Sequence, residues 1–431
     1  MIIAPSIPFP ILLALLALPA AGQETQVNLE ARTGSLQAIA FSLSTQDGLD
    51  LDWANVHFGD VIRKDLSLTG VFREMPVPSP QDPNVKAEME SPFANGHHLF
   101  LKVSLGKSAS GGYSAQAETL DPRAGKSIFG KSYTGSEAVL RRMAHRLVDD
   151  LVARITGLRG VAESRILFAK EISSGVKELY QVDRDGHSVR PLTRLGSLTI
   201  TPSVSADGRL AFLTYKAGPP ELWGQQQPDG PFIRLYPSKP SQGGTISTPV
   251  WSPDGKRLAF VEGDRRGNTN IKVLDIASRR VRLLTDKSGI NTEPAWNPSG
   301  TQIAFTSDRA GYPDIYLMED DGSNVRRLTS EGKYNASPAW SPDGSMIAYV
   351  SRFESGFDLF VYKLAEGKAY QLTRGPGSSE SPAWSPDGRF LVYTNNASGS
   401  SRLYTTDLAG NAPQQLSDIS PTQSPEWTRS R

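Results

Sequence analysis

The sequence contains no cysteine, and this absence excludes several kinds of chemistry at once. Without a thiol there is no disulfide, no thiolate-ligated zinc, no cysteine nucleophile and no lipid attached to an N-terminal cysteine. An excess of charge of one sign is also missing, because 46 Lys and Arg face 45 Asp and Glu, a formal net charge of +1. Such a balance gives no electrostatic indication of an anionic membrane surface or of nucleic acid, and we expect no nucleic-acid partner.

Long hydrophobic runs are scarce, and the one clear example lies close to the N-terminus. It extends from Phe9 to Leu18 and is followed by Pro19-Ala-Ala-Gly22. The run is too short to span a bilayer, and the small residues Ala20 and Gly22 fit signal-peptide cleavage before Gln23. We therefore predict a signal peptide over residues 1–22, although no Lys or Arg precedes the run; a retained anchor is the alternative. Later segments fall short of about 18 apolar residues, so we expect an exported chain with no direct membrane span.

The composition favours turns and small sheets over a single large core. The chain has 39 Gly and 31 Pro, which together stay below the roughly 25–30% at which composition suggests disorder. Apolar residues make up 38% of the chain, few for an enzyme built on buried parallel strands. This content is sufficient for many short, half-exposed strands.

A seven-residue motif recurs through the C-terminal two thirds of the chain. Most copies read Pro-x-Trp-Ser-Pro-Asp-Gly, and successive copies are 43 to 47 residues apart. The copies begin at Pro202, Pro249, Pro294, Pro338 and Pro382, with a truncated copy at Pro425. A period near 44 residues with several short strands per repeat is typical of a β-propeller, and six copies predict six blades.

Each repeat is predicted to contain four strands. In the fourth blade these are 295–296, 302–306, 314–318 and 325–329, separated by turns rich in Pro, Asp and Gly. Strand candidates at 165–169, 178–182 and 189–193 have no motif before them, and the last motif has no three strands after it. We therefore predict that 426–428 closes the first blade, which leaves no open sheet edge in the ring. The tryptophans of the motif are expected to pack between blades.

The region before the repeats has a different pattern and predicts a small α/β domain over residues 23–158, with the propeller over 159–431. Apolar residues at i, i+3 and i+4 steps from Leu140 to Ile155 predict a helix that Ser136 caps and Gly157 ends. A shorter helix is predicted over 60–68. Strand candidates are 38–41, 71–72, 99–105 and 113–117.

The sequence offers no catalytic residues, no metal site and no cofactor site that we would assign. Gly106-Lys-Ser108 and Gly125-Lys-Ser127 resemble part of a phosphate-binding loop, but neither has the required glycine five residues earlier. There is no Gly-x-Ser-x-Gly motif of a hydrolase. The five histidines are scattered along the chain: His57, His97, His98, His145 and His187.

One face of the predicted ring is a candidate binding surface. Strand direction places the segments before each motif proline, expected to be loops, on the same face as the loops between second and third strands. That face would carry small polar residues around the channel, at Thr201, Thr248, Asn291, Thr292, Glu293, Ser337 and Ser381. We predict that it binds a macromolecule, with ordinary hydrophilic loops as the alternative. The opposite face would consist of tight Pro-Asp-Gly turns.

Together these features resemble the TolB family of periplasmic proteins, over essentially the whole mature chain. The resemblance is carried by the motif blades, the preceding α/β domain and three segments: Phe58–Phe72, Ile155–Gly160 and Asn291–Trp296. Val204 and Ala206 in the first motif, Asn297 and Ser299 in the third and the uncharged leader depart from it.

The resemblance implies a non-enzymatic adaptor of the Tol–Pal system in the periplasm. Members of this family bind the lipoprotein Pal through the propeller face and TolA through the mature N-terminal segment. They support outer-membrane invagination in cell division and envelope integrity, and other envelope proteins are further candidate partners. The segment that would bind TolA comprises Gln23, Glu24, Thr25, Gln26, Val27, Asn28 and Leu29. A propeller-containing hydrolase or peptidase-like protein and a ligand-binding propeller are the alternative functions.

Overall fold

The computed structural model describes residues 36–75, 98–109, 111–121, 126–237, 245–285, 289–332, 334–353, 356–409 and 413–428. The predicted signal peptide and the segment 23–29 lie outside the described residues. The described part contains a small α/β domain followed by a six-bladed β-propeller, as the sequence predicts. None of its helices combines the length and the apolar character needed to cross a bilayer.

The α/β domain is built on one mixed five-stranded sheet with helices packed against it. The strands are β1 (Gln37–Thr45), β2 (Phe72–Met75), β3 (His98–Lys107), β4 (Tyr113–Asp121) and β5 (Lys126–Gly135), in the order β2-β1-β3-β4-β5. β1 runs parallel to β2 and β3, and the remaining pairs are antiparallel. The helices are α1 (Leu51–Ala54), a π-helical turn (Asn55–Gly59), α2 (Asp60–Leu68), a 3-10 turn (Glu137–Val139) and α3 (Leu140–Thr156). The strand β5 was not predicted.

Helix α3 buries the apolar stripe that the sequence predicts. Leu147, Val148 and Leu151 are fully buried in the core of this domain. The helix ends at Gly157, whose φ of 72° is a left-handed conformation that glycine adopts without strain. The predicted cap is wrong: Ser136 precedes the 3-10 turn, and its side chain makes no capping hydrogen bond.

The propeller consists of six four-stranded antiparallel sheets. Blade 1 contains β29 (Thr422–Thr428), β6 (Arg165–Ser173), β7 (Val176–Asp183) and β8 (Arg190–Pro191). Blade 2 contains β9 (Thr199–Val204), β10 (Leu210–Thr214), β11 (Glu221–Gly224) and β12 (Ile233–Tyr236). Blade 3 contains β13 (Ile246–Trp251), β14 (Arg257–Gly263), β15 (Thr269–Asp275) and β16 (Val281–Leu283). Blade 4 contains β17 (Asn291–Trp296), β18 (Gln302–Ser307), β19 (Asp314–Glu319) and β20 (Arg326–Arg327). Blade 5 contains β21 (Asn335–Trp340), β22 (Met346–Phe353), β23 (Gly356–Lys363) and β24 (Lys368–Gln371). Blade 6 contains β25 (Ser379–Trp384), β26 (Phe390–Asn395), β27 (Arg402–Asp407) and β28 (Gln414–Gln415).

The ring closes where the sequence predicts. β29 pairs antiparallel with β6, so that Trp427 lies opposite Ile166 and Thr422 opposite Lys170. The innermost strand of blade 1 is therefore supplied by a segment that follows all the other blades in the chain.

The cores of the propeller lie between the blades rather than within them. The motif tryptophans belong to these inter-blade cores: Trp251 packs with residues of blade 2, Trp296 with blade 3 and Trp384 with blade 5. Trp427 packs between blades 6 and 1 and is 7% exposed. Packing between blades is thus the role of these four indoles.

Arginines that follow the motif turns connect neighbouring blades. The Arg209 guanidinium of blade 2 lies 4.7 Å from the ring centroid of Trp251 in blade 3 and donates to the Gly255 carbonyl at 2.7 Å. Arg257 repeats the arrangement one blade later, 4.6 Å from the Trp296 ring and 3.1 Å from the carbonyl oxygen of the next motif glycine. A stacked and hydrogen-bonded guanidinium therefore joins the turn of one blade to the next.

Candidate functional site

The innermost strand of every blade contains one residue in the left-handed conformation, directly before the motif proline. We call these six residues the mouth ring: Thr201, Thr248, Glu293, Ser337, Ser381 and Ser424, with φ of 49°, 44°, 53°, 53°, 55° and 48°. The predicted loops are therefore wrong, because these residues lie within β9, β13, β17, β21, β25 and β29. Ser424 was missed, although the truncated motif at Pro425 marks its position in the sequence.

The mouth ring coincides with a bulge in each innermost strand. In blade 4 the pairing of β17 with β18 shifts register between Thr292 and Ala295, and the other innermost strands shift at the same place. A residue before proline ordinarily stays extended, and a positive φ is uncommon outside glycine. The conformation recurs in all six blades together with the bulge, which redirects the side chains around it.

Glu293 connects two blades through its side chain. Its carboxylate accepts hydrogen bonds from the Ser337 backbone N–H at 2.8 Å and the Ser337 hydroxyl at 2.9 Å. It also accepts a hydrogen bond from the Thr306 hydroxyl at 2.8 Å within its own blade. Glu293 therefore holds blade 4 against blade 5, in addition to lying at the mouth of the channel.

Asn291 supports the mouth from below its surface. Its side chain is 1% exposed and accepts hydrogen bonds from Arg309 at 2.7 Å and from the Ser307 hydroxyl at 3.0 Å. Its amide nitrogen donates to the Thr269 carbonyl at 3.2 Å. The predicted binding residue is thus buried, and its amide fixes the loop that carries Arg309.

Several mouth positions combine a small polar group with partial exposure. Thr292 and Ser381 are half-buried, and so are Thr201 and Thr248. The hydroxyls of Thr201 and Thr248 have no hydrogen-bond partner in the part of the chain that the structure describes. The hydroxyl oxygens of these two threonines are themselves buried, so the exposed part of each residue is its remaining surface.

The side of the mouth near blades 4 to 6 is acidic and partly apolar. Partial burial and the charge of Glu293 raise the pKa of Glu380 above its ordinary value. Burial, followed by the charges of these two carboxylates, raises the pKa of Tyr334. Tyr334 itself is exposed, and so are two further large side chains in this region, Tyr312 at 60% and Ile290 at 41%. The surface thus combines carboxylates, hydroxyls and aromatic area, a mixture typical of protein–protein contacts.

A second polar cluster lies between the two domains. His145 of α3 and Asp65 of α2 are joined by a 2.6 Å hydrogen bond, and Asp185 of the β7–β8 turn approaches both. Within the described residues no other three His, Asp or Glu side chains converge closely enough to share a metal ion, with their atoms within 4.8 Å. The guanidinium of Arg141 already binds Asp185, so we interpret the cluster as an ionic network. His145 was not singled out from the sequence, where it appears as one histidine in an amphipathic helix.

The α/β domain docks on the propeller face that carries the motif turns, which we call the turn face. The docking site lies where β29 closes the ring with β6. Arg389 follows the motif turn of blade 6, as Arg209 does in blade 2, but no Pro-Asp-Gly turn joins β29 to β6. Arg389 instead donates to the Thr69 carbonyl at 2.9 Å, just beyond α2. Arg184 of blade 1 donates to the Leu68 carbonyl at 2.8 Å. The carbonyl groups at the C-terminus of α2 therefore accept the arginine hydrogen bonds that the motif turn of the next blade accepts from Arg209 and Arg257. The mouth-ring face lies opposite the docked domain.

Comparisons with known proteins agree with this architecture. The family model described as the TolB beta propeller domain matches residues 152–431. The chain is similar to the Protein TolB homolog of Chlorobium chlorochromatii (strain CaD3), 32% identical over 261 residues that cover 58% of this chain and 56% of the relative. It is also similar to the Protein TolB homolog of Chlorobium luteolum (strain DSM 273 / BCRC 81028 / 2530), 33% identical over 259 residues, 58% of this chain and 57% of the relative. The chain thus spans just over half the length of these curated relatives.

A solved structure extends the likeness across both domains. The crystal structure of TolB from Acinetobacter baumannii superposes with a TM-score of 0.76 at 23% identity, covering 91% of this chain and 96% of that one. At this identity the likeness supports the fold.

Proposed function

This chain belongs to the TolB β-propeller family, and from that membership we propose that it acts as a non-enzymatic adaptor of the Tol–Pal system in the periplasm. In this proposal residues 1–22 are the signal peptide, 23–158 form the α/β domain and 159–431 form the propeller. The adaptor would support outer-membrane invagination during division and envelope integrity.

We propose that the mouth-ring face binds the lipoprotein Pal. The observation that carries this proposal is the arrangement of the two faces: the α/β domain occupies the turn face through Arg184 and Arg389, opposite the mouth ring. The residues proposed to contact Pal are Thr201, Thr248, Thr292, Ser337 and Ser381, to which the mouth ring adds Ser424. Asn291 and Glu293 are proposed to hold the shape of this surface, because their side chains are engaged by neighbouring strands and loops.

The mature N-terminal segment 23–29 is proposed to bind TolA. Deleting 23–29 should then abolish the capture of TolA while the affinity for Pal stays within about twofold. Loss of both activities would indicate a folding defect instead, and circular dichroism of the deletion variant separates that case.

Thr292→Arg tests the Pal surface directly. Thr292 is half-buried in β17, and none of its described contacts is a side-chain hydrogen bond. A bulky charge at a desolvated interface centre costs about 2–5 kcal/mol, which is roughly 30-fold to several thousand-fold in affinity. Titrating Pal into the variant by calorimetry should show this loss with an unchanged melting temperature.

Lys256→Glu is the matched control, because Lys256 is exposed in the motif turn of blade 3, on the opposite face. This variant should bind Pal nearly as the wild type does. Equal affinities for the two variants and the wild type would move the site off the mouth-ring face, and a loss confined to Lys256→Glu would place it on the turn face.

A further inference from the structure

His145 lies at the junction between the two domains and is 4% exposed. Its Nδ1 is 2.6 Å from a carboxylate oxygen of Asp65, a residue of the same domain. Asp185 belongs to the propeller, and its carboxylate lies within 4.8 Å of these groups. The same carboxylate binds Arg141 of α3, so the junction is bridged by ionic side chains from both sides.

The charged groups around the imidazole leave an excess of negative charge. The carboxylates of this network are Asp65, Asp149, Glu163, Asp183, Asp185 and Asp387. The guanidiniums are Arg141, Arg146, Arg165, Arg184 and Arg389. The exposed His187 approaches Asp185 from the solvent side at 3.5 Å. Carboxylates outnumber guanidiniums by one, and the proton held by the His145–Asp65 pair offsets that charge. Burial also raises the pKa of Asp65 above its ordinary value, against the hydrogen bond and the charge of His145.

We propose that His145 is a proton-dependent contact between the domains: as the imidazolium it holds Asp65 and attracts Asp185, and its deprotonation loosens the docking of the α/β domain on the propeller. The proposal goes beyond partner binding and is independent of which protein occupies the mouth-ring face.

The electrostatics of the site agree with this assignment. Burial alone would lower the pKa of His145, but the hydrogen bond with Asp65 and the negative charges of Asp65, Asp185 and Asp183 outweigh it and raise the pKa above 6.5. A histidine whose folded-state pKa is raised contributes stability that is complete below pH 6.5 and is lost as the pH rises through the folded-state pKa. The docked state should therefore weaken from about pH 6.5 upward.

Asp149 acts in the same direction. Its carboxylate accepts hydrogen bonds from the backbone N–H groups of Ala162 at 2.6 Å and Glu163 at 3.0 Å, in the segment that connects the domains. Burial raises the pKa of Asp149 to about 6, and the two backbone hydrogen bonds oppose that rise. Because the folded-state pKa lies above the ordinary 3.8, ionisation between these values disfavours the folded junction as the pH increases.

The absence of cysteine allows two specific labels to report the docking. Gln116 of β4 and Ala277 after β15 are exposed, so Gln116→Cys with Ala277→Cys places one dye on each domain of the full chain. Energy transfer between the dyes should change as the pH rises from 6.5, above the folded-state pKa of about 6 of Asp149, to 9. In the His145→Gln background this pH dependence should disappear, whereas His187→Gln, at the exposed histidine on the same carboxylate, should retain it.

A proton NMR titration of the wild-type imidazole gives a second readout that needs no buried substitution. The proposal expects a folded-state pKa for His145 above 6.5. A measured value at or below 6.5 would overturn it, and so would a pH profile of energy transfer that is the same in His145→Gln as in the wild type. If His145→Gln does not fold, Asp185→Asn provides the same comparison from the propeller side, and the NMR value still decides.

Discussion

Replacing Trp427 with alanine should destabilise the propeller more than the same change at any half-exposed motif tryptophan. Trp427 is 7% exposed in the core between blades 6 and 1, where it packs with Phe390 and Ile166. Its indole N–H donates to the Ser164 hydroxyl at 2.8 Å. Burial of a tryptophan removes up to about 250 Å² from water, and Trp→Ala changes in cores cost about 3–5 kcal/mol. With about 1 kcal/mol for the lost hydrogen bond, we expect a loss of about 4–6 kcal/mol.

A loss of this size should lower the melting temperature by roughly 10–20 °C, since 1 kcal/mol corresponds to about 2–4 °C in a domain of this size. Thermal unfolding followed by circular dichroism measures it. Trp340→Ala is the matched comparison: this indole is half-buried and its N–H has no partner among the described residues, so we expect less than half the effect. Deleting 429–431, beyond the end of β29, should leave the melting temperature unchanged. Equal losses at the two tryptophans, or no loss at Trp427, would refute the reasoning that burial and the hydrogen bond to Ser164 set the contribution of Trp427.

Two further predictions concern the contacts between blades. Arg257→Ala removes the stacking on Trp296, the hydrogen bond to the Gly300 carbonyl and the 2.6 Å ion pair with Asp320, so urea unfolding should show a loss of about 1–3 kcal/mol; an unchanged midpoint would contradict this role. Burial raises the pKa of Glu426 to about 7, against the effect of a hydrogen bond from the Val204 N–H. Wild-type stability should therefore fall relative to Glu426→Gln as the pH rises from about 4.5 to 7, by at most about 3 kcal/mol, and parallel stability profiles of the two proteins would refute this.

The ring was predictable because its information is local and repeated. Each motif contains a proline, a buried tryptophan and a tight turn at fixed spacing, and the strands between them alternate apolar and polar residues. The pairing of 426–428 with the first blade followed from counting strands, since one blade lacked an inner strand and one motif lacked a blade. Helix α3 was predictable for a similar reason, because its apolar stripe is long and Gly157 ends it.

The local sequence predicts loops at the mouth-ring positions. A polar residue that precedes proline and follows other polar residues resembles a turn. The seven residues of the motif do not by themselves indicate the bulge in the innermost strand. The buried roles of Asn291 and Glu293 likewise depend on contacts with other strands, such as that between Glu293 and Ser337. Arg184 and Arg389 resemble ordinary surface arginines of turns, and their contacts with the end of α2 join positions far apart in the chain.

The closure between β29 and β6 also governs the order in which the protein can fold. Thr422 pairs with Lys170, and closing a flexible loop of about 250 residues costs about 5 kcal/mol in chain entropy before any contact compensates it. Blade 1 therefore remains three-stranded, with the edge of β6 unpaired, until β29 has been synthesised and the intervening five blades have brought it near. Such non-local pairing slows folding, and an open edge of this kind can pair with another chain. The interval before closure therefore exposes the edge of β6 to pairing with other chains, and a chaperone that prevents such pairing would need to cover β6.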